Sequence, residues 1–180
     1  MRRNTPVFRP LLLAPGVVVH EVSHLLACLV LGVRVQEFVP FRFGNPAGYV
    51  THAVPRSYTK RIFISVAPLL VNTLVAIGAF WWSTQVSLFA FPFVVYLGVV
   101  VLLTSLPSAV DARSLLPHSR VGYVHPLFVL TVPVIGLLLL VNRLKRYRFD
   151  VAYTVVVSAV VLAVFHTDHL QWSDLVGLVL

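Results

Sequence analysis

The chain is poor in charge. Only 11% of its 180 residues are Asp, Glu, Lys or Arg, and six of them are acidic, where an average soluble domain carries roughly 25% charged residues. With 58% apolar residues and a mean hydropathy of +0.90, the chain has too few polar side chains to coat an ordinary soluble globule. It has a single cysteine, Cys28, set in an apolar run. That excludes an intrachain disulfide framework and says nothing about redox compartment. Internal repeats, low-complexity tracts and interleaved basic and aromatic residues are all missing, so nucleic acid is not an expected partner. The net charge of +8 comes mainly from arginines in the N-terminal leader and between the apolar runs, a distribution that suits lipid headgroups.

What the chain does have is long apolar runs. They predict an all-α polytopic membrane protein, one integral domain over residues 1–180, multi-pass in the cell membrane. About five spans are expected, at about 11–33, 62–82, 88–111, 124–142 and 151–166, the last short for the roughly 20 residues a bilayer needs. The basic N-terminus has the look of a signal sequence. Its apolar run continues past His24 to Leu31 without a small-residue cleavage site, so it is expected to be a retained first helix. Trp81, Trp82 and Trp172 fit aromatic belts at span ends. With five spans the cationic residues divide equally between the two faces, and the positive-inside rule sets no orientation.

The one substantial loop, residues 34–61, alternates in part, with Val39, Phe41 and Phe43 on one side and Arg42 on the other. It then turns through GNPAG into the β-prone YVTHAV. The pattern predicts a small surface β-hairpin between the first two helices.

Into the first apolar run is set HEVSH, residues 20–24. Residues four apart share a helix face, so His20 and His24 can present two imidazoles to one metal ion. In HExxH the pair binds zinc, while the glutamate, here Glu21, takes a proton from the attacking water and passes it to the leaving amine, which is metallopeptidase chemistry. A chance HExxH is expected about 0.01 times in a chain of this composition. An ionised group near a bilayer centre costs about 2.5–3.5 kcal/mol on insertion scales, so such groups there signal function. The plainer reading is that the three are buried polar groups hydrogen-bonded to neighbouring helices.

A hydrolytic zinc needs a third protein ligand and an open position. The choices are Glu37, His52, Asp111, His118, His125, His166, Asp168 and His169. Asp111 is favoured because it follows Pro107 in LTSLPSAVDARSLLP, where a proline interrupts the helix and frees backbone groups. His52 competes, since the hairpin can fold back over the site. The C-terminal HTDH, residues 166–169, reads equally well as a wet helix end.

The combination resembles the site-2 protease family of intramembrane zinc metalloproteases. HEVSH stands in a first core helix, VAPLLVN (66–72) in a second, and a proline-then-aspartate motif in a third. The resemblance covers about residues 10–115, which it implies to be the three-helix protease core of that family, and leaves the last two spans, within 116–180, as accessory helices. The family signature ends in Leu-Asp-Gly, where this chain has Val110, Asp111 and Ala112, the mark of an outlying member. The resemblance implies Zn2+ on His20, His24 and Asp111, Glu21 as catalytic base, and Asn72 contacting the scissile carbonyl or its oxyanion. It implies a membrane-protein substrate cleaved in or near its own span, held in extended form by the hairpin edge at about Val50 to Val54. Two other functions remain open: a non-catalytic metal-binding membrane protein, such as an inactive relative, and a divalent-metal transporter.

Simple helical rise sets His24 and Asp111 at different depths, by about 10 to 15 Å. A later start of the third helix near Phe91, or a break at Pro107, is needed to bring Asp111 inward.

Overall fold

A computed structural model describes residues 8–108, 110, 111 and 148–167, with isolated positions between 133 and 143. Apart from those isolated positions, the expected fourth span, 124–142, lies outside the described residues, as does Trp172. Among these residues the chain is mostly helical, with four helices and one two-stranded antiparallel sheet: α1 Phe8–Val30, β1 Val35–Val39, β2 Tyr49–His52, α2 Tyr58–Ser83, α3 Phe91–Leu103 and α4 Phe149–Thr167. Two of the helices, α1 over Pro10–Val30 and α2, are long and apolar enough to cross a membrane. The shorter α3 and α4 are apolar as well.

Helix α1 stops where the sequence offers glycine. Gly32 takes φ +63°, a left-handed conformation that glycine adopts without a Cβ penalty. The Val33 N–H reaches the Cys28 carbonyl at 2.8 Å and the Gly32 N–H reaches Leu29 at 3.1 Å, which closes the helix with a Schellman pair. Val33 and Cys28 then pack with Ile64 of α2 in a small buried cluster, so the end of α1 and the start of α2 are joined by apolar contact. The main core lies further along, where Ala76 and Phe80 of α2 meet Val101 and Leu102 of α3, with Tyr153, Val157 and Val161 of α4 against them.

Two glycines permit close helix approach. A Cβ on Gly16 of α1 would collide with the Val100 carbonyl and lie 2.6 Å from Thr104 Oγ1, and one on Gly98 of α3 would lie 2.7 Å from the Phe80 ring. Small residues at such crossings let backbones approach, as in membrane bundles.

The third helix differs from the expectation at both ends. It starts at Phe91 rather than Leu88, with Pro92 in its first turn, where the missing N–H costs nothing. It ends at Leu103, before Pro107, because the residue before a proline disfavours the α region. The Thr104 and Ser105 hydroxyls bond back to Val100 and Leu102. The chain from Thr104 to Ser108 is therefore not helical, and it does not climb 1.5 Å per residue away from His24.

The hairpin pairs Val35 with His52 and Val39 with Tyr49, with an irregularity between Val35 and Glu37. Phe41 and Phe43 fall outside its strands, contrary to the alternation read from the sequence. Pro40 has no N–H to give the ladder, and the backbone folds instead into a turn closed by Arg42 N–H to the Ala47 carbonyl at 2.6 Å. The two rings stack edge to face, with centroids 5.3 Å apart.

Candidate metal centre

Gly16, His20 and His24 fall at four-residue spacing, one stripe of α1. The close approach at Gly16 sets α1 against the end of α3, and one turn on, His20 Nδ1 reaches the Thr104 carbonyl at 2.6 Å. Thr104 is the C-cap of α3, so its carbonyl has no helical partner of its own. One further turn along, His24 Nδ1 reaches the Ile64 carbonyl of α2 at 2.9 Å. This carbonyl is also left over by the helix. Its partner would be the N–H four residues on, and that residue is Pro68, which has none.

A carbonyl can only accept, so in both imidazoles Nδ1 carries the proton, and in the neutral ring Nε2 is then the atom with a lone pair to give a metal. Both Nε2 atoms face one carboxylate. His24 Nε2 lies 3.3 Å from Asp111 Oδ1 and His20 Nε2 lies 3.9 Å from Asp111 Oδ2. The two rings stand edge to face, centroids 5.0 Å apart. Asp111 is held in turn by Ser108, whose N–H donates to Oδ2 at 2.7 Å and whose Oγ accepts the Asp111 N–H at 3.2 Å, the reciprocal pattern of a capping box. Ser65 Oγ of α2 donates to the Asp111 carbonyl at 3.1 Å.

One donor atom from each of His20, His24 and Asp111 lies within 4.8 Å of the other two. Donors bound tetrahedrally at about 2.0–2.2 Å sit about 3.3–3.5 Å from one another. The closest pair here has that spacing, and side-chain rotation can draw in the rest. Two nitrogens and one carboxylate, each imidazole oriented through its far nitrogen, suit a divalent ion with one position left open.

The trio opens on a cavity of about 380 Å³ that is also lined by Glu21, Gly48, Tyr49, His52, Ser65 and Ser108. Glu21 is 9% exposed, and its carboxylate makes no hydrogen bond among the described residues. Gly48 sits directly on it: a Cβ there would lie 2.8 Å from Glu21 Cγ and 2.8 Å from the Pro40 carbonyl. The hairpin does fold over the site, and His52 lines the cavity from β2, its Nδ1 donating to the Ala53 carbonyl at 2.9 Å. His52 is not part of the donor trio.

Asn72 is fully buried and stands away from the cavity lining. Its Oδ1 accepts from Ser23 Oγ of α1 at 2.9 Å, and its amide nitrogen lies 3.5 Å from both the Val101 carbonyl and Thr104 Oγ1. It joins three helices and is one residue removed from His20, through Thr104. Glu37 is on β1 and accepts from the Tyr49 hydroxyl at 2.7 Å. That bond holds the phenol above its usual pKa. His118, His125, Asp168, His169 and the side chain of His166 lie outside the described residues.

Sequence reasoning missed Ser65, Ser108 and the orienting carbonyls. Two signals were present: Ser108 stands three residues before Asp111, and Pro68 stands four after Ile64. Comparison of the chain with family models, with curated proteins and with solved structures finds no match.

Proposed function

We propose that the chain is a multi-pass membrane zinc endopeptidase of the site-2 protease type, with about five spans, that cleaves membrane-protein substrates in or near their own spans. The observation that carries this reading is the approach of His20 Nε2, His24 Nε2 and the Asp111 carboxylate to one another, from one turn of α1 and from a residue that follows the non-helical stretch Thr104 to Ser108 after α3. Both imidazoles have Nδ1 already occupied by a backbone carbonyl.

His20, His24 and Asp111 would hold the ion. Zinc, when bound, supplies a Lewis acid that polarises a carbonyl and makes water a better nucleophile near neutral pH. The remaining chemistry belongs to the chain. Glu21, next to the ligands on α1 and lining the same cavity, accepts a proton from the attacking water and returns it to the departing amine. Tyr49, Val50 and His52 line the cavity from β2, so a substrate segment that adds to this strand as extended chain brings its carbonyls toward the trio. A helical substrate hides those carbonyls in its own hydrogen bonds, and strand addition compensates for unwinding it. Gly48 packs against Glu21 with no room for a Cβ, so the hairpin backbone lies close to the base.

Glu21→Gln separates this reading from a non-catalytic metal-binding protein, which has the same donors and no use for a base. The variant purified from membranes should keep its zinc and lose cleavage of a reporter span by at least 10²-fold, the low end of general-base contributions. Cleavage undiminished in Glu21→Gln removes the proposal. A divalent-metal transporter would instead move zinc into vesicles, and would do so with Glu21→Gln as well as with the wild type.

A further inference from the structure

A second cavity, about 360 Å³, lies where α1 ends, β2 runs out and α2 begins, and Arg34, Arg56, Lys60 and Ser57 are in its lining. No carboxylate lines it. Neither the Arg34 nor the Arg56 guanidinium has a hydrogen-bond or ion-pair partner among the described residues. Lys60 Nζ donates to the Leu31 carbonyl at 2.6 Å, which fixes the ammonium at the rim and leaves two of its three N–H donors. Three cations with no counter-charge repel one another at close range, and an anion relieves that repulsion.

Two further features narrow the anion. The side chain of Ser57 makes no capping bond at the start of the 26-residue α2, so the positive end of that helix faces the same cavity. Val54, in the lining, is 60% exposed, and Leu29 and Val30 at the end of α1 and Phe63 near the start of α2 are exposed at 61%, 84% and 57%. A basic pocket between two helix ends that carry exposed apolar side chains matches a phosphate on an acyl chain better than a free phosphate, which has no use for apolar neighbours. We infer that this pocket binds the phosphate headgroup of an anionic membrane lipid through Arg34, Arg56 and Lys60. The inference is independent of peptidase activity and rests on reading α1 and α2 as membrane spans.

The test uses the full chain in nanodiscs, with phosphatidylglycerol, phosphatidylcholine, inorganic phosphate and an acidic peptide as separate probes. Lipid retained in native mass spectrometry and the melting temperature are read in each. Phosphatidylglycerol should be retained and raise the melting temperature, and phosphatidylcholine, millimolar phosphate and the peptide should do neither. Arg34→Gln/Arg56→Gln should weaken retention about tenfold or more, since each cation near the surface adds to the attraction for anionic lipid. Arg34→Lys/Arg56→Lys should keep most of it, which guards against misfolding of the glutamine pair. Equal retention of phosphatidylcholine, saturation by inorganic phosphate or by the peptide, or retention indifferent to the glutamine pair overturns the inference. Alkaline extraction tests the span reading separately: a chain that stays in the membrane and still ignores lipid charge has lost only the pocket.

Discussion

His24 takes its orientation from a bond that Pro68 makes possible. Its Nδ1 donates to the Ile64 carbonyl at 2.9 Å, the carbonyl that the proline four residues later leaves without a helical donor. A helix-breaking residue inside α2 thus orients an imidazole on α1 that the proposed function makes a metal ligand.

Pro68→Ala restores that N–H and sets it in competition with His24. Zinc affinity should fall about 10- to 100-fold, the usual cost of losing an outer-shell partner, while the melting temperature holds or rises because proline in a helix interior is unfavourable by about 3 kcal/mol. Competition titration with a zinc chelator and a thermal melt check the two signs. Unchanged affinity would mean that the Ile64 bond does not orient the ring.

Gly16→Ala should force α3 away from α1, since the new Cβ meets the Val100 carbonyl and Thr104 Oγ1 at 2.6 Å. Overpacking of this kind costs about 1–3 kcal/mol, visible as a lower melting temperature. The same shift moves the Thr104 carbonyl off His20, so zinc affinity should drop in parallel. A control at Gly78, where an added Cβ meets nothing, should be neutral or slightly stabilising, because alanine is the better helix former.

Asn72→Ala leaves the Ser23 hydroxyl with only its bond to Val19 at 2.7 Å and strips the Thr104 side chain of its amide neighbour. A loss of about 1–3 kcal/mol is expected for breaking a buried polar pair. If Asn72 acts only by joining the helices, stability and zinc affinity fall together and kcat of the zinc-loaded enzyme changes little. A kcat loss of about 10²- to 10³-fold at full zinc loading would instead give Asn72 a direct contact with the developing oxyanion.

Ser108→Ala removes the acceptor of the Asp111 N–H while keeping the backbone N–H that donates to the carboxylate. Loss of a cap residue costs about 0.5–2 kcal/mol, and the loosened Asp111 should weaken zinc several-fold without abolishing it. Ser108→Thr should restore both. Isothermal titration with zinc on the three proteins orders them wild type, Thr, Ala. Identical affinities would detach Ser108 from the site.

Much of this site is legible in the sequence. The spacing of His20 and His24 on one apolar run, with Glu21 between them, marks a candidate metal pair because helical periodicity alone brings the imidazoles together. Asp111 stood out because Pro107 ended the helix before it. The depth mismatch between His24 and Asp111 closes through the later start at Phe91 together with the early end at Leu103. What was not read depends on contacts between segments distant in the chain: which carbonyl each Nδ1 finds and how Gly48 comes to rest on Glu21. Those contacts join residues up to 84 apart, and a local signal such as Pro68 marks a carbonyl as left over without saying which side chain reaches it. That Phe41 and Phe43 leave the strand was open to reading from Pro40.

X-ray absorption at the zinc edge, on protein purified without added metal, decides whether His20, His24 and Asp111 hold an ion. The account predicts one zinc per chain, with two imidazole nitrogens at about 2.0–2.1 Å and carboxylate oxygen at about 2.0–2.2 Å, one nitrogen lost in His20→Ala or His24→Ala, and an altered oxygen shell in Asp111→Ala. A chain that holds no zinc, or a zinc shell that none of the three substitutions changes, would contradict it.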